Sequence, residues 1–189
     1  MIASVEPTVE PAVAADLGPI AELAARTFPL ACPPDLPRDS IDAFITRHLS
    51  TGALSVHLVT PGHELLAART PGGRLAAYAL LVDGIEMDPA CADQILHRPT
   101  VGISKLYVDP GHHGSGIAAL VLDDVVRRCA GRGARSLWLA TNVANTRARR
   151  FYVKQGFVER GSRTFDVGGV SNTDVVFEKE LVGTAPGSD

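Results

Sequence analysis

The stretch "YVDPGHHGSGIAALVLDD", Tyr107 to Asp124, sets three glycines and two histidines between an extended segment and a helical one. That order aims backbone N–H groups at an anion, because the first turn of a helix holds donors with no internal acceptor and a favourable dipole. Phosphate is the natural ligand of such a turn. Neither common phosphate fingerprint is present: "GHHGSGIAA" lacks the Lys-Ser/Thr of a P-loop, and glycines at 111, 114 and 116 do not make G-x-G-x-x-G. His112 and His113 diverge on a turn, with no Cys or carboxylate at a familiar ligand spacing, so no metal is expected.

The elements that must hold this turn follow from hydrophobic period. "TVGISKLYVD" is rich in β-branched and aromatic residues and reads as the strand entering it. Ile117, Leu120, Val121 and Val125 recur at helical spacing after it, with Gly131 as the stop. "RSLWLATN" is a further strand. Asn145 or Thr146 then caps a helix that places Ala148, Phe151, Tyr152 and Gln155 on one face, and Gly156 ends it. "FVERGSRTFDVGG" and "DVVFEKEL" close the chain as two strands.

Before the turn, a loose start leads to Asp16 as an N-cap and a helix with Ile20, Leu23, Ala24 and Phe28 inward. A second helix, capped by Asp39 or Ser40, buries Ile41, Phe44, Ile45 and Leu49. "HELLAART" and "RLAAYALLVDG" flank a Pro-Gly-Gly turn as a hairpin. Residues 85–99 read as irregular. The expected organisation is a single domain over residues 1–182, with 183–189 a disordered tail.

Composition narrows the class. A chain of 189 residues with 46% hydrophobic content can pack a core without metals or disulfides. Its longest apolar run, Leu75 to Val82, is too short to span a bilayer, and no export signal is visible, so a soluble cytoplasmic protein without a membrane partner is expected. Cys32, Cys91 and Cys129 fit neither a disulfide framework nor a zinc site. The charge is uneven: residues 101–160 hold 10 Lys/Arg against 4 Asp/Glu, whereas residues 1–100 hold 6 against 12. A polyanionic ligand near the basic segment fits this asymmetry. Few aromatics accompany its arginines, which argues against nucleic acid.

These residues resemble the GCN5-related N-acetyltransferase superfamily. Its pyrophosphate loop, Arg/Gln-x-x-Gly-x-Gly/Ala, is matched by His113-Gly114-Ser115-Gly116-Ile117-Ala118, with His113 in place of the long first side chain. "LATNVANTRARRFYVKQGF" is similar to the family's next strand and helix, and the likeness runs from about Val101 to Leu181. The end of the chain looks like the PaiA-type polyamine acetyltransferase branch. One departure stands out: that branch carries a glutamate on the strand before the loop where this chain has Gly102.

The resemblance implies an α/β fold with a mixed, mostly antiparallel central sheet of six to seven strands and helices on both faces. It implies acetyl-CoA as cosubstrate, a primary amine as acceptor, no metal, and a monomer or homodimer. The pyrophosphate would sit on residues 113–118, the pantetheine on Asn145, Phe151 and the backbone of Leu106, Tyr107 and Val108, and the acetyl oxygen on the Leu106 N–H. Tyr152 would be the general acid; a phenol titrates about 1.5 units above a thiol and can protonate a leaving thiolate. The base stays open. Ser104 could position a water, and Asp83, Glu86 and His97 are near in sequence. A non-catalytic acyl-CoA-binding module on the same fold is the alternative.

Overall fold

The computed structural model describes residues 7–181; the expected tail at 183–189 lies outside them. Seven strands form one sheet: β1 (Thr8–Pro11), β2 (His63–Arg69), β3 (Leu75–Asp83), β4 (Thr100–Val108), β5 (Ser136–Asn142), β6 (Val158–Val167) and β7 (Val170–Glu180). Their spatial order is β1-β2-β3-β4-β5-β7-β6. Every neighbouring pair is antiparallel except β4 and β5. The fold class is therefore the expected one.

Helices cover both faces. The α4 (Ile117–Gly131) and α5 (Thr146–Lys154) helices pack Val121, Leu122, Val125 and Tyr152 onto Ala77, Ala79, Ile103 and Phe177. On the opposite face α1 (Leu17–Ala31), α2 (Arg38–His48) and α3 (Thr51–Val59) pack Ile20, Leu23, Phe28, Ile41 and Leu54 with Tyr78 and Leu80. Strand β3, buried on both faces along almost its whole length, is the run that reads as continuously apolar.

Several local readings change. The α3 helix and strand β1 were not expected: α3 follows α2 after only Leu49 and Ser50, and β1 exists through its pairing with β2. Asp16 is not a side-chain cap for α1; its carboxylate accepts from the Val13 N–H at 2.9 Å and pairs with Arg69. Pro37, rather than Asp39 or Ser40, stands at the N-cap of α2. The α4 helix runs through Gly131, and the left-handed residue after its end is Gly133. Asn145 caps α5 as expected, its Oδ1 accepting from the Ala148 N–H at 3.1 Å.

Two irregularities in β4 shape the centre of the molecule. Lys105 faces Leu80 while Ile103 faces Leu81, so Ser104 is an extra residue bulged against β3. Beyond Gly102, β4 also leaves β5: only Thr100–Gly102 pair with Ser136–Trp138, and the rest of the two strands diverges. The sheet opens there as a wedge.

Candidate active site

The Asp109 N–H donates to the Ala76 carbonyl of β3 at 2.8 Å, and in an antiparallel ladder the backbone groups alternate in direction. Tyr107 and Lys105 therefore hydrogen-bond toward β3. Leu106 and Val108 point their N–H groups into the wedge. The Tyr107 N–H is thus not free for a ligand, which corrects the expectation for that group; Tyr107 instead lines the cavity with its side chain.

At the mouth of the wedge the chain turns through Pro110–His112, where Asp109 accepts from the Gly111 N–H and from Arg26 of α1, each at 2.9 Å. Gly114 and Gly116 follow with φ of 81° and 87°, a region that side-chain-bearing residues avoid. A Cβ at either glycine would meet nothing within 4 Å, so backbone conformation and not crowding selects glycine. Among the described residues the N–H groups of Gly114, Gly116 and the first turn of α4 have no protein acceptor. Together they form a concave array of donors of the kind that holds phosphate. Ser115 does not belong to this array: its N–H and Oγ both bond the His112 carbonyl, at 3.2 and 2.6 Å. Ile117 contributes only backbone, since its side chain is core.

His113 is committed on both ring nitrogens. Nη1 of Arg147 lies 2.7 Å from Nδ1, and Nε2 lies 3.2 Å from the Val108 carbonyl. Arginine only donates, so Nδ1 accepts and the Nε2–H donates, a neutral ring. The cation beside the loop is thus Arg147, which sequence reasoning missed. A signal existed: an arginine in the first turn of α5 opposes the helix dipole, a local cost that points to work elsewhere.

Two cavities open from the wedge. The first, about 450 Å³, runs from Gly114 and Gly116 past Val108 and Asn145 to Phe151 and Tyr152. The second, about 430 Å³, lies under α1 and α2 against Phe28, Phe44, Arg163 and Phe165. Ser104, Lys105, Tyr107 and Thr141 line both, so the cavities meet at the bulge. Tyr152 is 8% exposed, packed edge-on against Phe151 and Phe157 at 5.2 and 5.5 Å. Burial holds its phenol above the usual range, so it stays protonated, and among the described residues its hydroxyl has no protein partner.

The base candidates fare differently. Ser104 is at the junction, whereas Asp83, Glu86 and His97 line neither cavity. His97 lies elsewhere, its backbone N–H donating to the Glu178 carboxylate at 2.9 Å. At Gly102 a Cβ would lie 2.6 Å from Cε of Met87 and 3.1 Å from Nε1 of Trp138. Trp138 is fully buried and donates to the Gly84 carbonyl at 2.9 Å, so it cannot give way easily. The place where the similar branch carries a glutamate is filled here by Met87 and Trp138, and a side chain there would need the end of Met87 to swing aside.

Among the described residues no group of three or more His, Cys, Asp or Glu side chains could hold a metal ion, and no helix is long and apolar enough to cross a membrane. The family model described as "Acetyltransferase (GNAT) family" matches residues 20–157. The uncharacterized N-acetyltransferase Rv2669 of Mycobacterium tuberculosis is 40% identical over 167 residues, 88% of this chain and 99% of its own. A counterpart from Mycobacterium bovis matches to the same extent. Among solved structures, the PaiA N-acetyltransferase of Thermoplasma acidophilum in complex with coenzyme A has a TM-score of 0.73 at 17% identity, covering 93% of this chain and 99% of that one. A GCN5-related N-acetyltransferase structure from Rhodopseudomonas palustris gives 0.71 at 19%, covering 96% and 99%.

Proposed function

As this chain belongs to the acetyltransferase (GNAT) family and is an N-acetyltransferase, we propose that it moves the acetyl group of acetyl-CoA directly to a primary amine inside the wedge. The observation that carries this reading is the meeting of two cavities at one point. One ends on an array of unpaired backbone donors, and the other ends on aromatic side chains.

In this reading the backbone of Gly114, Gly116 and the α4 first turn holds the pyrophosphate, with Arg147 beside it. Asn145 and Phe151 flank the pantetheine. The Leu106 N–H bonds the acetyl oxygen, where negative charge grows as the amine attacks. The C–N bond forms and the C–S bond breaks; Tyr152 gives its phenolic proton to the departing sulfur. Ser104 orients the water that takes the proton from the amine. Acetyl-CoA supplies only the acyl group and its thiol leaving group.

The filled space at Gly102 favours a second reading, a module that binds acyl-CoA without turning it over. Thiol release from acetyl-CoA with a panel of amines separates the two. Release that depends on an amine is expected. Tight acetyl-CoA binding with no release for any amine would establish the module instead.

A further inference from the structure

Lys105 lies where the two cavities join, half-buried, with its Nζ 3.4 Å from Ser104 Oγ. Among the described residues no carboxylate pairs with it, whereas Arg26 and Arg163 each have one. Arg163 in the second cavity is held by Asp88 at 3.0 Å and by Asp174 at 3.2 Å. Asp166, at the same rim, accepts from the Gly169 N–H at 2.9 Å. Of the two cations that line the second cavity, Lys105 is therefore the one without a carboxylate at ion-pair distance.

Its surroundings are unusual for an ammonium group. Burial pushes the Lys105 amine down to about 8, which still leaves it mainly charged at neutral pH. The charge is felt on the α2 and α3 side: burial first, and Lys105 second, hold His48 below its ordinary value and push His57 down to about 4. His57 and His63 share a 2.7 Å contact between Nδ1 atoms, and neither offers an anion. A partly desolvated cation without a counter-ion is costly, and an anion brought by a ligand relieves that cost. One wall of the cavity is aromatic. Phe28 stacks on Phe44 at 4.5 Å, and Phe165 meets Phe44 edge-on at 5.7 Å.

We propose that the acceptor is an amino carboxylate of amino-acid size, its carboxylate on Lys105 and an apolar or aromatic side chain against Phe28, Phe44 and Phe165. This rests on the second cavity being the acceptor side of the acetyl transfer described above. A polyamine, which would bring further positive charge to an unmatched lysine, is disfavoured by the same argument.

The experiment compares matched pairs at neutral pH: L-phenylalanine with phenethylamine, and L-methionine with 3-(methylthio)propylamine. Wild-type protein should show a kcat/KM at least about tenfold higher for each amino acid than for its decarboxylated partner. Lys105→Met should collapse that ratio toward one, and Lys105→Arg, which keeps the charge, should retain most of it. A readout without turnover is the melting-temperature rise given by N-acetyl-L-phenylalanine, expected in wild type and absent in Lys105→Met. Equal rates within each pair, or a preference for the plain amines, would overturn the assignment while leaving acetyl transfer intact. The same holds for a Lys105→Met variant that loses both members of a pair equally, since Lys105 would then serve transfer and not recognition. Acetyl-CoA binding without thiol release for any of the four would overturn acetyl transfer itself, and this inference with it.

Discussion

The loop arm and the aromatic arm of the wedge are assembled in opposite ways. Donors of the loop arm are backbone groups from one short stretch, Gly114 to the first turn of α4, set by two left-handed glycines. The aromatic arm gathers side chains from α1, α2, β4 and β6, far apart in the chain. A site made of main chain needs the right φ and little else, so it can persist while side chains change. A site made of gathered side chains changes with any one of them. In the proposed transfer, the shared part of the substrate pair goes with the loop and the variable part with the aromatics.

Tyr152 lines the first cavity at the end away from the glycines, and its loss should be the largest effect. Tyr152→Phe keeps the ring among Phe151, Phe157 and Phe177 but deletes the donor. Turnover with the best amine should fall about 10²-fold or more while acetyl-CoA affinity holds. Turnover within about threefold of wild type would show that another group protonates the sulfur.

Gly116→Asp tests the loop arm alone. A left-handed φ and a like charge beside the phosphates act together, and calorimetry should show acetyl-CoA affinity lowered about tenfold or more, roughly 1.4 kcal/mol. The open space around the glycine means that no clash with protein contributes. Unchanged affinity would detach the loop from phosphate binding.

Lys105→Met tests the aromatic arm through stability. The native amine titrates at about 8 against 10.5 for a free lysine, so between those values the unfolded chain binds more protons and stability rises with pH. Below pH 8 the cost of the buried charge is fully present. Lys105→Met should therefore be more stable than wild type at pH 7, by roughly 1 kcal/mol after solvent screening is allowed for. That gain should shrink as pH climbs toward about 10.5. His48 and His57, the titrating neighbours, are neutral across this window. A pH-independent gap in urea melts would remove the charge from the explanation.

Arg147→Ala should have the smallest effect. Loss of one exposed cation beside the loop is expected to weaken acetyl-CoA binding about threefold at low salt, and less as salt rises. His113→Ala should act in the same direction through Arg147, because the ring orients the guanidinium. A loss larger than that of Gly116→Asp would make side chains, not main chain, the principal phosphate ligands.

The loop arm was legible in the sequence for the reason that makes it robust: its parts are adjacent. Strand, glycines, helix and the Asn145 to Gly156 segment each announce themselves within a dozen residues. The aromatic arm was not legible. Lys105 reads as an ordinary strand residue until the Ser104 bulge and the helices over it are known, because desolvation is a property of the packed chain. Gly102 was seen as a missing side chain; that Met87 and Trp138 fill the space required the fold. The α3 helix escaped because its apolar residues do not gather on one clear stripe, with only Leu54 buried.

The divergence of β4 from β5 also gives one strand two rates of amide hydrogen exchange. Lys105 and Tyr107 donate to β3 and should exchange slowly, while Leu106 and Val108, alternating with them, face the wedge with no strand to protect them. Neighbouring amides only one residue apart would thus differ in protection although they belong to the same rigid element. Any extended molecule that lies along the gap and accepts from Leu106 and Val108 serves as a temporary strand. It should slow the fast pair selectively, leave the slow pair nearly unchanged, and raise the melting temperature in proportion to the logarithm of its concentration.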